Sequence, residues 1–125
     1  MGKVLRLLTL LLLPVLGAVH AEVYKLRVTN WSCIVADGKA TVRGLVYNQG
    51  RASLSNIRVN LRVLGPNGVV LGTNSAPIEN RRLAAGARSL FSVSARLRRA
   101  AVARCQIWFR NPEVVQIPTL VPPLK

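Results

Sequence analysis

Ile57-Arg58-Val59-Asn60-Leu61-Arg62-Val63 alternates apolar and polar residues without a break. An extended chain sends successive side chains to opposite faces, so one face of this segment is aliphatic and the other carries Arg58, Asn60 and Arg62. The pattern is that of a half-buried antiparallel strand. It recurs in both directions. On the N-terminal side, Tyr24, Leu26 and Val28 alternate with Lys25, Arg27 and Thr29. Residues 34–36 lead into Asp37-Gly38, a pair suited to a two-residue hairpin turn. Ala40, Val42, Gly44 and Val46 then alternate with Thr41, Arg43, Leu45 and Tyr47, and Asn48-Gln49-Gly50 breaks the run. On the C-terminal side, Gly65-Pro66-Asn67-Gly68 turns the chain into Val69-Val70-Leu71, and Pro77 precedes a weaker strand over 78–83. After the corner Ala84-Ala85-Gly86-Ala87, Phe91, Val93, Ala95 and Leu97 alternate with Ser92, Ser94, Arg96 and Arg98. Cys105, Ile107 and Phe109 finally alternate with Arg104, Gln106, Trp108 and Arg110.

About seven short strands result, punctuated by turns roughly every 8–12 residues, which predicts an all-β, two-sheet sandwich. Within 96–104, Ala100-Ala101 also allows a helical turn. The domain spans 22–110. Residues 111–125 differ in kind, with Pro112, Pro118, Pro122 and Pro123 among aliphatic residues. This Pro-rich tail is expected to lie extended along the domain edge, with a disordered tail or a partner-docking segment as the alternatives.

Residues 1–21 have the three-part form of a secretory signal peptide: Lys3 and Arg6, an apolar run from Leu7, and Ala18-Val19-His20-Ala21 before a cut. The rival is an uncleaved anchor, but spanning a bilayer takes roughly 17–25 apolar residues and this run is shorter. Cleavage leaves no transmembrane segment and predicts a periplasmic or secreted protein. Of the 125 residues, 18 are Lys or Arg and 4 are Asp or Glu, for a formal charge of +14. Losing Lys3 and Arg6 leaves 16 basic residues, 13 of them Arg, and a side-chain charge of about +12.

Cleavage also removes His20, the only histidine. No imidazole then remains for a nucleophilic triad or a metal site. Glu22, Asp37, Glu79 and Glu113 are scattered rather than paired, and no phosphate-binding glycine loop is present. The chain is therefore expected to be non-enzymatic, with no catalytic, cofactor or metal residues. Cys33 and Cys105 are an even count in an exported chain and read as a disulfide, with two buried free thiols as the alternative. Asn30-Trp31-Ser32 fits a glycosylation sequon, which matters only in a eukaryote.

Gly44-Leu45-Val46-Tyr47-Asn48 resembles the G-x-V-x-N strand that opens the FxLYD-type bacterial extracytoplasmic domain. Leu83-Ala84-Ala85-Gly86, with Phe91 five residues on, resembles that family's L-x-P-G corner and following Phe. The chain departs at Leu61-Arg62-Val63-Leu64-Gly65, where F-x-L-Y-D is expected, and at Ala85, where the corner has Pro. CARDB-type adhesion modules share the V-x-N-x-G and L-x-x-G features. The FxLYD-type resemblance spans about residues 39–109; both families imply an immunoglobulin-like sandwich outside the cytoplasm, and neither implies an enzyme or fixes a ligand.

If the strands starting near Ile57, Phe91 and Cys105 share a sheet, outward parity gathers Arg58, Arg62, Arg96, Arg98, Arg104 and Arg110 around Trp108. Guanidinium forks suit carboxylate and phosphate oxygens, and an exposed Trp adds a stacking surface. Such a face would bind an acidic protein or an anionic envelope polymer, such as lipopolysaccharide or a peptidoglycan-linked polyanion. A plain solvated face is the alternative. Export argues against a nucleic-acid partner. A second function class is a periplasmic inhibitor or immunity protein that blocks an acidic enzyme site.

Overall fold

The computed structural model describes residues 25–124, so the signal-peptide reading of residues 1–21 lies outside the described residues. Ten strands follow one another: β1 Leu26–Ala36, β2 Lys39–Asn48, β3 Leu54–Ser55, β4 Arg58–Leu64, β5 Val70–Pro77, β6 Arg82–Leu83, β7 Arg88–Arg96, β8 Arg104–Asn111, β9 Val114–Ile117 and β10 Thr119–Leu120. Among the described residues there is no α-helix, only a 3-10 turn at Pro66–Gly68. A back sheet runs in the order β10-β1-β2-β7 and a front sheet in the order β5-β4-β8-β9, with β3 and β6 as a separate pair. The two large sheets pack as a sandwich.

The alternation explains the core. Val28, Val42, Val46 and Val93 face inward from the back sheet, and Val59, Leu61, Val63 and Phe109 from the front. Burying each such side chain stabilises by about 2 kcal/mol. Phe91 and Phe109 join the sheets edge-to-face, with centroids 5.2 Å apart and planes at 88°. Gly44 makes room for that contact: a Cβ there would lie 2.6 Å from Phe91 Cζ and 2.8 Å from Trp31 Cβ. The Asp37-Gly38 hairpin forms as expected, with φ of 54° and 74°, the double positive φ of a type I′ turn.

Cys33 on β1 and Cys105 on β8 form the expected disulfide, a bridge between the sheets with Cα atoms 6.6 Å apart. It is consistent with an oxidising, extracytoplasmic compartment.

Three elements differ from the sequence pattern. The alternation around Val28 continues as one strand to Ala36, and a bulge between Val28 and Asn30 shifts its phase. Inward residues are even-numbered before it and odd-numbered after it, which breaks a strict period of two. Residues 78–83 form a strand only at Arg82–Leu83. Ile78 and Glu79 instead clip the sandwich's side, where Ile78 N donates to Ile57 O at 3.1 Å and Glu79 N to Leu90 O at 3.0 Å. Residues 97–103 bend without a helical turn, held by Arg98 N to Leu71 O at 3.0 Å and Ala103 N to Leu64 O at 2.8 Å.

The chain beyond residue 110 belongs to the sandwich. Strand β9 joins the front sheet beside β8, and β10 crosses to pair in parallel with β1.

Candidate functional site

The outer face of the front sheet is built from two neighbouring strands. Strand β4 turns Val59, Leu61 and Val63 into the core and therefore Arg58, Asn60 and Arg62 outward. In the antiparallel register Arg58 lies opposite Arg110, Asn60 opposite Trp108, Arg62 opposite Gln106 and Leu64 opposite Arg104. Four arginines thus share one face with Trp108, as the alternation predicts for these strands.

Arg96 and Arg98 do not join them. Strand β7 pairs along its whole length with β2, from Lys39 opposite Arg96 to Tyr47 opposite Arg88, so it lies in the back sheet. Arg96 ends that strand and Arg98 follows it; both line a hollow with Thr73 on the side where β5 meets β7. The six-arginine face is corrected to four.

The back sheet has its own basic outer face, which the grouping by strand missed. Arg27 and Arg88 flank Tyr47, with guanidinium carbons 5.5 and 5.7 Å from the ring centroid. Lys39, Arg43 and Arg96 share that outward parity. The signal was present in the alternation of Arg43 and Tyr47 against Val42 and Val46.

What distinguishes the front face is its mixture of chemistry. The Arg62 guanidinium lies over the Trp108 ring at 5.1 Å, an attraction of about 0.5–1 kcal/mol at an exposed site. Arg58 donates from Nε and Nη2 to Ser75 Oγ at 3.3 and 3.1 Å, which fixes its fork on the neighbouring strand β5. Asn60, opposite Trp108 in the register, is 8% exposed, and its enclosed Nδ2 has no hydrogen-bond partner. A buried donor left unmade costs about 1–3 kcal/mol. Among the described residues no ion pair forms, so these guanidinium groups have no carboxylate partner there.

Two depressions border the face. One, of about 420 Å³, brings together Arg58, Arg81 and Arg110 beside Pro77 and Pro112. The other, of about 550 Å³, is a groove between Trp108, Gln106 and Gln116 on one side and Val121, Pro122 and Pro123 on the other, with Trp31 and Arg62 in its lining. Among the described residues no three His, Cys, Asp or Glu side chains converge on a metal-sized site. No described helix is long and apolar enough to cross a membrane.

The motif residues Asn48 and Leu83 lie elsewhere and hold the closed end of the sandwich. Asn48 Nδ2 donates to Leu83 O and Ala52 O, both at 2.9 Å, and its Oδ1 accepts from Gly50 N at 3.0 Å. Its backbone N donates to Ala87 O at 3.0 Å, and its carbonyl accepts from Gly86 N at 2.7 Å. The fully buried side chain therefore ties β2 to its following loop and to β6, and the backbone of the same residue ties it to the corner.

No protein-family model matches the chain, and no curated protein matches it. Among solved structures the chain is similar to part of a β-glucosidase, DesR from Streptomyces venezuelae, solved in complex with D-glucose. The identity is 12% and the TM-score 0.37, over 74% of this chain and 15% of that one. The chain thus spans a small fraction of that protein's length, and it stands as a small β-rich domain.

Proposed function

We propose that the protein is an exported, non-enzymatic binding or assembly module of the bacterial envelope, acting in the periplasm or at the cell surface. Its front-sheet face receives an acidic protein or an anionic polymer. The observation that carries this reading is the gathering of Arg58, Arg62, Arg104 and Arg110 around Trp108. An incoming oxygen would find charge-assisted donors already spaced on a rigid sheet, and charge-assisted bonds are about twice as strong as neutral ones. The signal-like residues 1–21 and the disulfide support an extracytoplasmic setting. The FxLYD-type or CARDB-type resemblance supports an immunoglobulin-like module outside the cytoplasm.

A second reading has its own support. The Arg58, Arg81 and Arg110 depression is the right chemistry for a single inserted carboxylate. A periplasmic inhibitor or immunity protein could cover an acidic enzyme site with it.

The test is charge reversal. Replacing Arg58, Arg62 and Arg104 together by Glu should weaken capture of envelope polyanions or acidic proteins at least about tenfold at moderate salt. Retention equal to the parent protein's would overturn the assignment of this face.

A further inference from the structure

Strand β9 protects only the end of β8. Its register has two pairs, Phe109 with Ile117 and Asn111 with Val114. The chain then leaves the front sheet at Pro118 and joins β1 on the back sheet through β10. Among the described residues, residues 104–108 of β8 have β4 on one side and no strand on the other. This open edge faces the groove of about 550 Å³. The opposite wall is held in place, because Trp31 Nε1 donates to Pro122 O at 2.7 Å. Pro122 and Pro123 have no N–H and cannot donate to the edge themselves. The groove therefore borders main chain that no described strand pairs.

We propose that an extended segment of an acidic partner protein adds to the front sheet as a strand along residues 104–108. The proposal rests on the reading that the front face takes an acidic partner, and it names the form in which that partner arrives. Strand addition draws affinity from main-chain hydrogen bonds and specificity from alternate side chains. Five residues of edge correspond to a segment about 17 Å long. Side chains of the added strand that point outward would lie beside Arg104, Gln106 and Trp108, with Arg62 one strand further, so acidic residues are favoured there. Those that point inward meet Trp31, Cys105 and Val121, so apolar residues are favoured there. The recognised segment alternates acidic and apolar residues. A polyanionic glycan would use the arginines but has no backbone amides to pair with the edge.

The experiment uses the mature protein and synthetic nine-residue peptides. Both tryptophans of the chain, Trp31 and Trp108, line the groove, so intrinsic fluorescence reports its occupancy directly. A peptide of alternating Glu and Val is compared with one of the same composition whose Glu residues are clustered. Two further copies carry N-methyl groups on alternate amides, in one phase or the other. Only one phase places methyl groups against β8. The expected result is that the alternating peptide binds about tenfold more tightly than the clustered one and that a single phase of methylation loses that advantage. Equal binding of all four peptides, weakened by salt, would overturn strand addition while leaving the basic-face reading intact. Failure of every peptide, with heparin still retained through the front-face arginines, would overturn the protein-strand partner and favour a polymer. Failure of the peptides and of heparin alike would remove both readings.

Discussion

Asn48 and Asn60 are two buried asparagines on strands of the same sandwich, and they live in opposite circumstances. Asn48 is 0% exposed, and its donors and acceptor are engaged by Leu83, Ala52 and Gly50. It obeys the rule that a buried polar group is hydrogen-bonded. Asn60 is nearly as buried, yet its amide nitrogen has no partner. The first belongs to a closed, self-sufficient corner. The second has the outward parity of β4, opposite Trp108, but its amide nitrogen is enclosed and unbonded. The contrast separates a polar group that the fold satisfies from one that it leaves unsatisfied.

The largest expected effect tests the frame common to both regions. Replacing Cys33 and Cys105 by Ala opens a 72-residue span and should destabilise by about 4 kcal/mol, read from denaturant unfolding. Next is Asn48→Ala, which leaves the buried Leu83 carbonyl, the more exposed Ala52 carbonyl and the Gly50 amide without their side-chain partner. It should cost about 3 kcal/mol, with binding by the surviving folded protein unchanged. A loss below about 1 kcal/mol would show that the corner does not depend on its asparagine. Asn60→Leu sharpens the contrast: it removes an orphaned donor, so stability should stay within about 1 kcal/mol of the parent or rise. If Asn60→Leu destabilises as much as Asn48→Ala, the two asparagines are alike after all. The smallest effect is expected on the back sheet. Exchanging Arg27 and Arg88 for Gln should remove the two cation–π contacts to Tyr47, change stability by about 1 kcal/mol or less, and leave front-face binding intact. Equal loss of binding from this pair would mean that net charge, not the front face, governs recognition.

Much of the sandwich was legible because alternation is a local signal. The strands β2, β4, β7 and β8 follow from it directly, as does the Asp37-Gly38 turn. The disulfide followed from an even cysteine count. Strand β1 was harder, because one extra residue at its bulge reverses the phase that the pattern relies on. The tail was harder still. Strands β9 and β10 are short and proline-flanked, and their pairing comes from edges offered by β8 and β1 rather than from their own period. Of the candidate site, Arg58, Arg62, Arg104, Arg110 and Trp108 were readable as outward residues. The orphaned amide of Asn60 was not, since burial on an outer face depends on which neighbours fold over it.

By itself the sequence determined which side chains β2, β4, β7 and β8 turn outward. That choice is made residue by residue, because the core accepts the aliphatic parity and rejects the charged one. Only the tertiary structure decided which strands share a sheet. Pairing joins segments far apart in the chain, and a strand's alternation is equally satisfied on either layer. For that reason Arg96 and Arg98 carry the correct polarity but stand away from the front face, while β9 stops short and leaves the edge of β8 open.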